Sequence, residues 1–184
     1  MSECKVPLLK KSSRGMLQSC NSLQHKDNIM QRYVCAFVRV GQLVLLVRKN
    51  HPAWQAGRLN GVGGHVEEGE SQGAAMQREF REETGIDVPA HLWQEYAQVR
   101  SVAPTPEESA WLVHMFRLTA SELELSSMIN DVGERLEFHS LDVSNDPDWL
   151  HSRHAIANLA WLIPMAHLDP THMVAECVAT ETGA

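Results

Sequence analysis

Residues 64–86 read GHVEEGESQGAAMQREFREETGI, and the fold and chemistry of the chain are best approached from this stretch. Ser71 is suited to N-cap a helix, Gln72 to Thr84 holds only Gly73 as a weak helix former, and Gly85 supplies a left-handed stop. On that helix Glu79, Glu82 and Glu83 stand at i, i+3 and i+4, so three carboxylates share one face. Their mutual repulsion costs stability unless a cation offsets it, and hard oxygen donors suit Mg²⁺ or Mn²⁺. Met76 and Phe80, four apart, form the apolar stripe that holds the helix to a core. A solvated acidic face with Arg78 and Arg81 as partners is the plain alternative for any Glu-Glu pair, but it does not account for the whole pattern.

Just upstream, Gly61, Gly63 and Gly64 fall within four residues. Glycines let the backbone turn sharply and approach a ligand, and such turns present N–H groups to phosphate oxygens. From Gly64, five residues lead to Glu70, seven more to Arg78-Glu79-Phe80, one more to Glu82-Glu83, and then Thr84-Gly85-Ile86.

This spacing resembles the Nudix box. The resemblance implies an α/β/α sandwich with a mixed central sheet, and a hydrolase that cleaves nucleoside diphosphates linked to another moiety with a divalent cation. It implies Glu79, Glu82 and Glu83 as Mg²⁺ ligands (Mn²⁺ being the alternative), Glu79 also as the group that activates water, and the Gly64 carbonyl as a further ligand. Arg78 is expected to pair with Glu70 and hold a box carboxylate. An additional carboxylate is sought outside the box, first at Glu137 and Glu134, then at Glu107 and Glu108. Gly63, Gly64, His65, Asn60 and Trp54 are the candidate substrate contacts. His65 stands where relatives often carry a more basic residue. Arg58 to Gly64 (RLNGVGG) resembles oxidised-purine triphosphatases, in which the asparagine reads the base. An Asn60 that bonds its own backbone ahead of Gly61 fits the residues equally well.

Outside the box, 184 residues suffice for one domain with tails, and 43% hydrophobic with 21% charged residues is a globular composition. A formal charge of −7 argues against a broad nucleic-acid surface, and no apolar run approaches the ~20 residues of a membrane span. Cys4, Cys20, Cys35 and Cys177 show no paired spacing and read as reduced thiols, hence a cytoplasmic protein. Residues 1–30 are expected to be an extension, loosely ordered or a docking arm, and Met30 is a candidate start. Residues 31–168 are expected to form the domain, with a loose tail over 169–184 and a homodimer allowed.

In order, Arg32–Val40 and Gln42–Lys49 predict a hairpin turned at Gly41, and Leu59–Val62 a short strand. Strands are predicted at Trp93–Ser101, Ala110–Leu118 and Arg135–Leu141. Ser152–His167 predicts an amphipathic helix that Pro164 ends or kinks. Ser121–Met128 is helix or loop, and 103–109 an acidic loop. His151 and His154 read as surface residues, and Trp54 and Trp149 are the tryptophans that could stack on a base, with core packing the first reading for Trp149.

The leading expectation is a Mg²⁺-dependent pyrophosphohydrolase of a nucleoside triphosphate, an oxidised purine among the candidates, giving a monophosphate and pyrophosphate. ADP-ribose or nucleotide-sugar hydrolysis, and a nucleotide-sensing module without catalysis, are the alternatives.

Overall fold

The computed structural model describes residues 30–101, 110–120, 134–142, 148–151, 153–167 and 175–179. The extension over residues 1–29, the acidic loop with Glu107 and Glu108, Ser121–Met128 and most of the tail lie outside them.

The first strand explains why the chain folds around it. In β1 (Gln31–Val40), Val34, Ala36, Val38 and Val40 enter one core, while Cys35 and Phe37 enter another. A strand buried on both faces has no polar side to alternate with, hence its continuous apolar run. Gly41, at φ +57°, makes the turn into β2 (Leu43–Arg48), and the two pair antiparallel only from Val38↔Leu45 to Val40↔Leu43. On its other edge β1 runs parallel to β5 (Trp111–Thr119) from Gln31↔Trp111 to Arg39↔Thr119.

Beyond Val38 the two strands diverge, and the glycine segment fills the split. β3 (Leu59–Asn60) pairs with Val47 and Arg48 at the end of β2. The chain then crosses to β1, where Ala36 N–H donates to Val62 O at 2.8 Å and Val34 N–H to Gly64 O at 2.9 Å. It feeds α1 (Gln72–Thr84), where Ser71 Oγ accepts from Ala74 N–H and Gly85, at φ +76°, donates to Arg81 O. The cap contributes about 1 kcal/mol. Ala75, Met76 and Phe80 are buried against the Val34 face of β1, with the Phe80 ring edge-on to Trp93 at 5.0 Å.

β4 (Gln94–Ser101) pairs antiparallel with β5, and β6 (Arg135–Ser140) with β2 from Leu43↔Ser140 to Arg48↔Arg135. After the short α2 (Asp148–His151), α3 (Leu159–His167) lays Leu159, Leu162, Ile163 and Ala166 on the Cys35–Phe37 face. A mixed sheet with α1 on one face and α3 on the other is the α/β/α sandwich the sequence predicts. Among the described residues no helix is long and apolar enough to cross a membrane.

Two expectations are corrected. The helix expected from Ser152 starts at Leu159, because His154–Ile156 runs beside β3: Leu59 N–H donates to His154 O and Ile156 N–H to Leu59 O. Ile156 enters the α3 core from that extended backbone, which is why it satisfied helical spacing without being helical. The helix also runs three residues past Pro164. The tail expected to be loose holds β7 (Ala175–Ala179), parallel to β4 from Ala97↔Ala175 to Ser101↔Ala179.

Candidate active site

The wedge of glycines sets the site. At Gly63 (φ +153°) a β-carbon would meet the backbone oxygen of Val34 and lie 2.8 Å from Cys35 Cα, so only glycine lets the loop lie flat on β1. At Gly64 a β-carbon would lie 2.5 Å from Cδ and both oxygens of Glu79. The Glu79 carboxylate therefore sits directly on the loop backbone, on the ground that a side chain would occupy. Glu83, one turn on, accepts from Gly63 N–H at 3.3 Å.

Two cations organise the carboxylates. Arg78 forks onto Glu70 (Nε to Oε1 3.0 Å, Nη2 to Oε2 2.9 Å), as the sequence predicts. It also donates to Glu79 Oε1 at 2.9 Å, Glu82 Oε2 at 3.3 Å and the His65 carbonyl at 2.8 Å. One guanidinium thus ties the loop to the helix.

Lys49 has no part in the sequence reading. Its Nζ lies 3.1 Å from Glu83 Oε1 and 2.7 Å from Glu134 Oε2, and Glu134 Oε1 also accepts from Asn50 N–H at 2.8 Å. Burial pushes the Glu83 carboxyl up to about 7 against the pull of Lys49. Burial would lower the Lys49 ammonium, but Glu83 and Glu134 more than offset it and raise it above its ordinary value. Burial likewise acts to raise Glu134, and the bonds from Lys49, Asn50 and His51 outweigh it to leave that carboxyl low. The clue lay in alternation: Arg48 and Lys49 end an apolar strand, so they point to opposite faces.

The two acids proposed beside β6 part in the same way. Glu137, opposite Leu46 on the α3 side, takes Arg48 on both oxygens (2.6 and 2.7 Å) and His139 at 3.1 Å. The structure does not bring it to the box; it brings Glu134 there.

The substrate candidates are placed unevenly. Asn60 Oδ1 accepts from Gly61 N–H at 2.8 Å and its amide donates to Gln55 at 3.2 Å, the arrangement of a loop-shaping asparagine. His65 is exposed, its ring edge-on to Tyr33 at 5.3 Å. Trp54 is 62% exposed on the loop between β2 and β3. Trp149 packs on the α3 core and donates to Ser140 O at 3.2 Å. Cys35 is buried behind the loop, and burial pushes its thiol up to about 12, leaving it inert.

The donor set fits a hard divalent ion. Glu70, Glu79, Glu82, Glu83 and Glu134 are five carboxyl groups against two cations, Arg78 and Lys49, so negative charge stays in excess beside open backbone even with Glu83 partly protonated. With Arg78 and Lys49 taking oxygens, no three acidic, histidine or cysteine side chains among the described residues form a ready cage.

A glycine loop laid against a carboxylate-bearing helix, on a sheet covered on both faces, is an arrangement that can hold a divalent ion against phosphate oxygens. The NUDIX domain family model matches residues 30–159, and the chain belongs to the Nudix family. Families of this type depend in general on a divalent metal ion. Among solved structures, the MutT protein from Bacillus halodurans is similar at a TM-score of 0.61 and 23% identity, over 83% of this chain and 92% of that one. The NUDIX domain of Shewanella oneidensis NrtR, complexed with ADP ribose, reaches 0.54 at 19% identity, over 76% and 87%. The E. coli ORF135 protein reaches 0.52 at 24% identity, over 78% and 95%. These likenesses concern the fold. No curated protein matches the chain.

Proposed function

We propose that the chain hydrolyses nucleoside triphosphates to a monophosphate and pyrophosphate with Mg²⁺, Mn²⁺ serving in its place. The observation that carries this is the seating of the Glu79 carboxylate on Gly64, with Glu83 on the Gly63 N–H and surplus negative charge around them. Glu79, Glu82 and Glu83 would hold the ion, with the Gly64 carbonyl and Glu134 as further oxygens. The ion would neutralise phosphate charge and orient water. Glu79 is the group to take the proton of that water, and Arg78 keeps it aimed by binding Glu70, Glu79 and Glu82 together. His65 and the Gly63 and Gly64 backbone lie where phosphates would meet the loop, and exposed Trp54 offers a ring to a base.

The triphosphate reading rests on likeness to MutT proteins. It names no particular base: Asn60 donates to Gln55 and accepts from Gly61 N–H as a loop-shaping residue does, while its second amide hydrogen is left for a purine edge, so oxidised purines stay among the candidates. ADP-ribose or a nucleotide sugar is the second reading, favoured by the likeness to the ADP-ribose-bound NrtR domain. A sensing role without catalysis sits poorly with box carboxylates that are all present.

The test is a panel of nucleoside triphosphates, ADP-ribose and nucleotide sugars incubated with Mg²⁺ and resolved by product. Monophosphate and pyrophosphate from triphosphates support the proposal. Cleavage confined to ADP-ribose or sugar nucleotides moves the assignment to the second reading, and binding without cleavage to the third.

A further inference from the structure

At the opposite end of the sheet from the glycine loop, a cavity of about 690 Å³ opens between the α1–β4 connection and the last turn of α3. Its walls come from Val38–Arg39 of β1, Arg117–Ala120 of β5, Phe80 of α1, residues 86–89 and Ala166–His167; no box glutamate lines it. The size is that of a small-molecule site, and the lining mixes polar and apolar groups about equally.

The polar groups here are basic. Arg39 donates through Nε to Gly41 O at 2.7 Å, and Arg117 to Gln94 Oε1 at 3.2 Å and Ala166 O at 3.3 Å. These acceptors are uncharged, and most N–H groups of both guanidiniums remain for another acceptor. His167 Nε2 is buried and has no hydrogen-bond partner among the described residues, a deficit that costs stability unless something fills it. Burial, then Arg39 and Arg117, push the His167 imidazole down to about 4, so it is neutral and stands in a positive field.

A structural role accounts for part of this. Arg117 and His167 lie at the C-terminal end of α3, whose carbonyls carry about half a negative charge. One cation satisfies that end; the second guanidinium and the buried imidazole nitrogen remain. Asp87, the acidic group of the lining, accepts from Gln77 at 2.8 Å, and one carboxylate against two guanidiniums leaves one positive charge in surplus.

We propose that this cavity is a second binding site, for a small organic anion whose carboxylate or phosphate monoester head meets Arg39, Arg117 and His167 and whose apolar body lies against Ile86, Val88 and Leu118. It is separate from the hydrolytic site and does not depend on its substrate.

The test uses the full chain, with 4-phenylbutyrate and phenyl phosphate as the two anionic probes and 4-phenylbutanol as the uncharged one. Binding is followed by ¹H–¹⁵N NMR. Saturable shifts are expected at Val38–Arg39, Asp87–Val88 and Arg117–Ala120 with one or both anions, and the tighter probe identifies the head group. The alcohol should bind at least about tenfold more weakly, the loss of a charge-assisted hydrogen bond. Arg39→Gln with Arg117→Gln should weaken the anion by a similar factor, while Glu83→Gln should leave it unchanged. Absence of saturable shifts with both anions, equal binding of the alcohol, or an unchanged affinity in the double variant overturns the proposal. The alcohol comparison needs only the unaltered protein, so it decides even where the double variant does not fold.

Discussion

Replacing Gly64 by alanine should separate activity from stability. The new methyl would lie 2.5 Å from Cδ, Oε1 and Oε2 of Glu79, where ordinary contact begins at 3.4 Å, so something must yield by 3.4 − 2.5 = 0.9 Å. What meets the methyl is the end of a flexible side chain, not backbone. The Glu79 carboxylate can retreat, giving up its 2.9 Å bond from Arg78 at a cost of about 1–2 kcal/mol. The fold should survive that. Hydrolysis should not, because misplacing a catalytic group by about 1 Å costs on the order of 10²-fold in rate. Gly63→Ala is the contrast: its methyl meets the Val34 oxygen and the Cys35 Cα at 2.8 Å, with φ at +153°. Backbone must then move, unpairing the loop from β1 at a cost of about 3 kcal/mol or more. Thermal melts followed by circular dichroism, with kcat/KM on a nucleoside triphosphate in Mg²⁺, read both quantities. Full activity in Gly64→Ala, or a melting temperature as low as that of Gly63→Ala, would refute the reasoning.

Arg78→Lys should lower kcat by about 10–100-fold with a smaller effect on melting, since one ammonium cannot fork onto Glu70 while reaching Glu79 and the His65 carbonyl. Asn60→Ala should reduce kcat/KM by the same factor on purine and pyrimidine triphosphates, the behaviour of a residue that shapes the loop; a loss confined to one base would show that it reads the base. Glu137 is held down to about 2, first by the Arg48 bond, below the 4.5 of a free glutamate. Its contribution to stability is therefore complete above about pH 4.5 and lost as pH falls towards 2. Glu137→Gln should melt below the parent at pH 7, with the gap closing across that window in melts taken from pH 7 to 2.

How much of this was legible in the chain depends on the range of the forces involved. The box helix was read to its residue, because Ser71, the Met76–Phe80 stripe and Gly85 are local chemistry. So was the Arg78–Glu70 pair, eight positions apart on the loop and helix that the motif joins. The α3 start was missed because the competing partner, β3, lies about a hundred residues upstream, and Ile156 fills the same core from either conformation. β7 was missed because a five-residue stretch, AECVA, has too little pattern to declare a strand; the edge of β4 decides it. Glu137 and Glu134 could not be told apart without knowing that β6 pairs with β2, since only the register sends one to Arg48 and the other to Lys49. Lys49 was invisible for the same reason.

In the proposed reaction water attacks a triphosphate at the box, with a divalent ion held by Glu79, Glu82 and Glu83. Hydrolysis in ¹⁸O-labelled water, with products resolved by mass spectrometry, tests it directly. A monophosphate and pyrophosphate are expected, with the label in one of them, formed with Mg²⁺ and lost both in excess chelator and in Glu83→Gln. Turnover that persists in chelator and in Glu83→Gln, or its absence on every triphosphate with Mg²⁺ supplied, would contradict it.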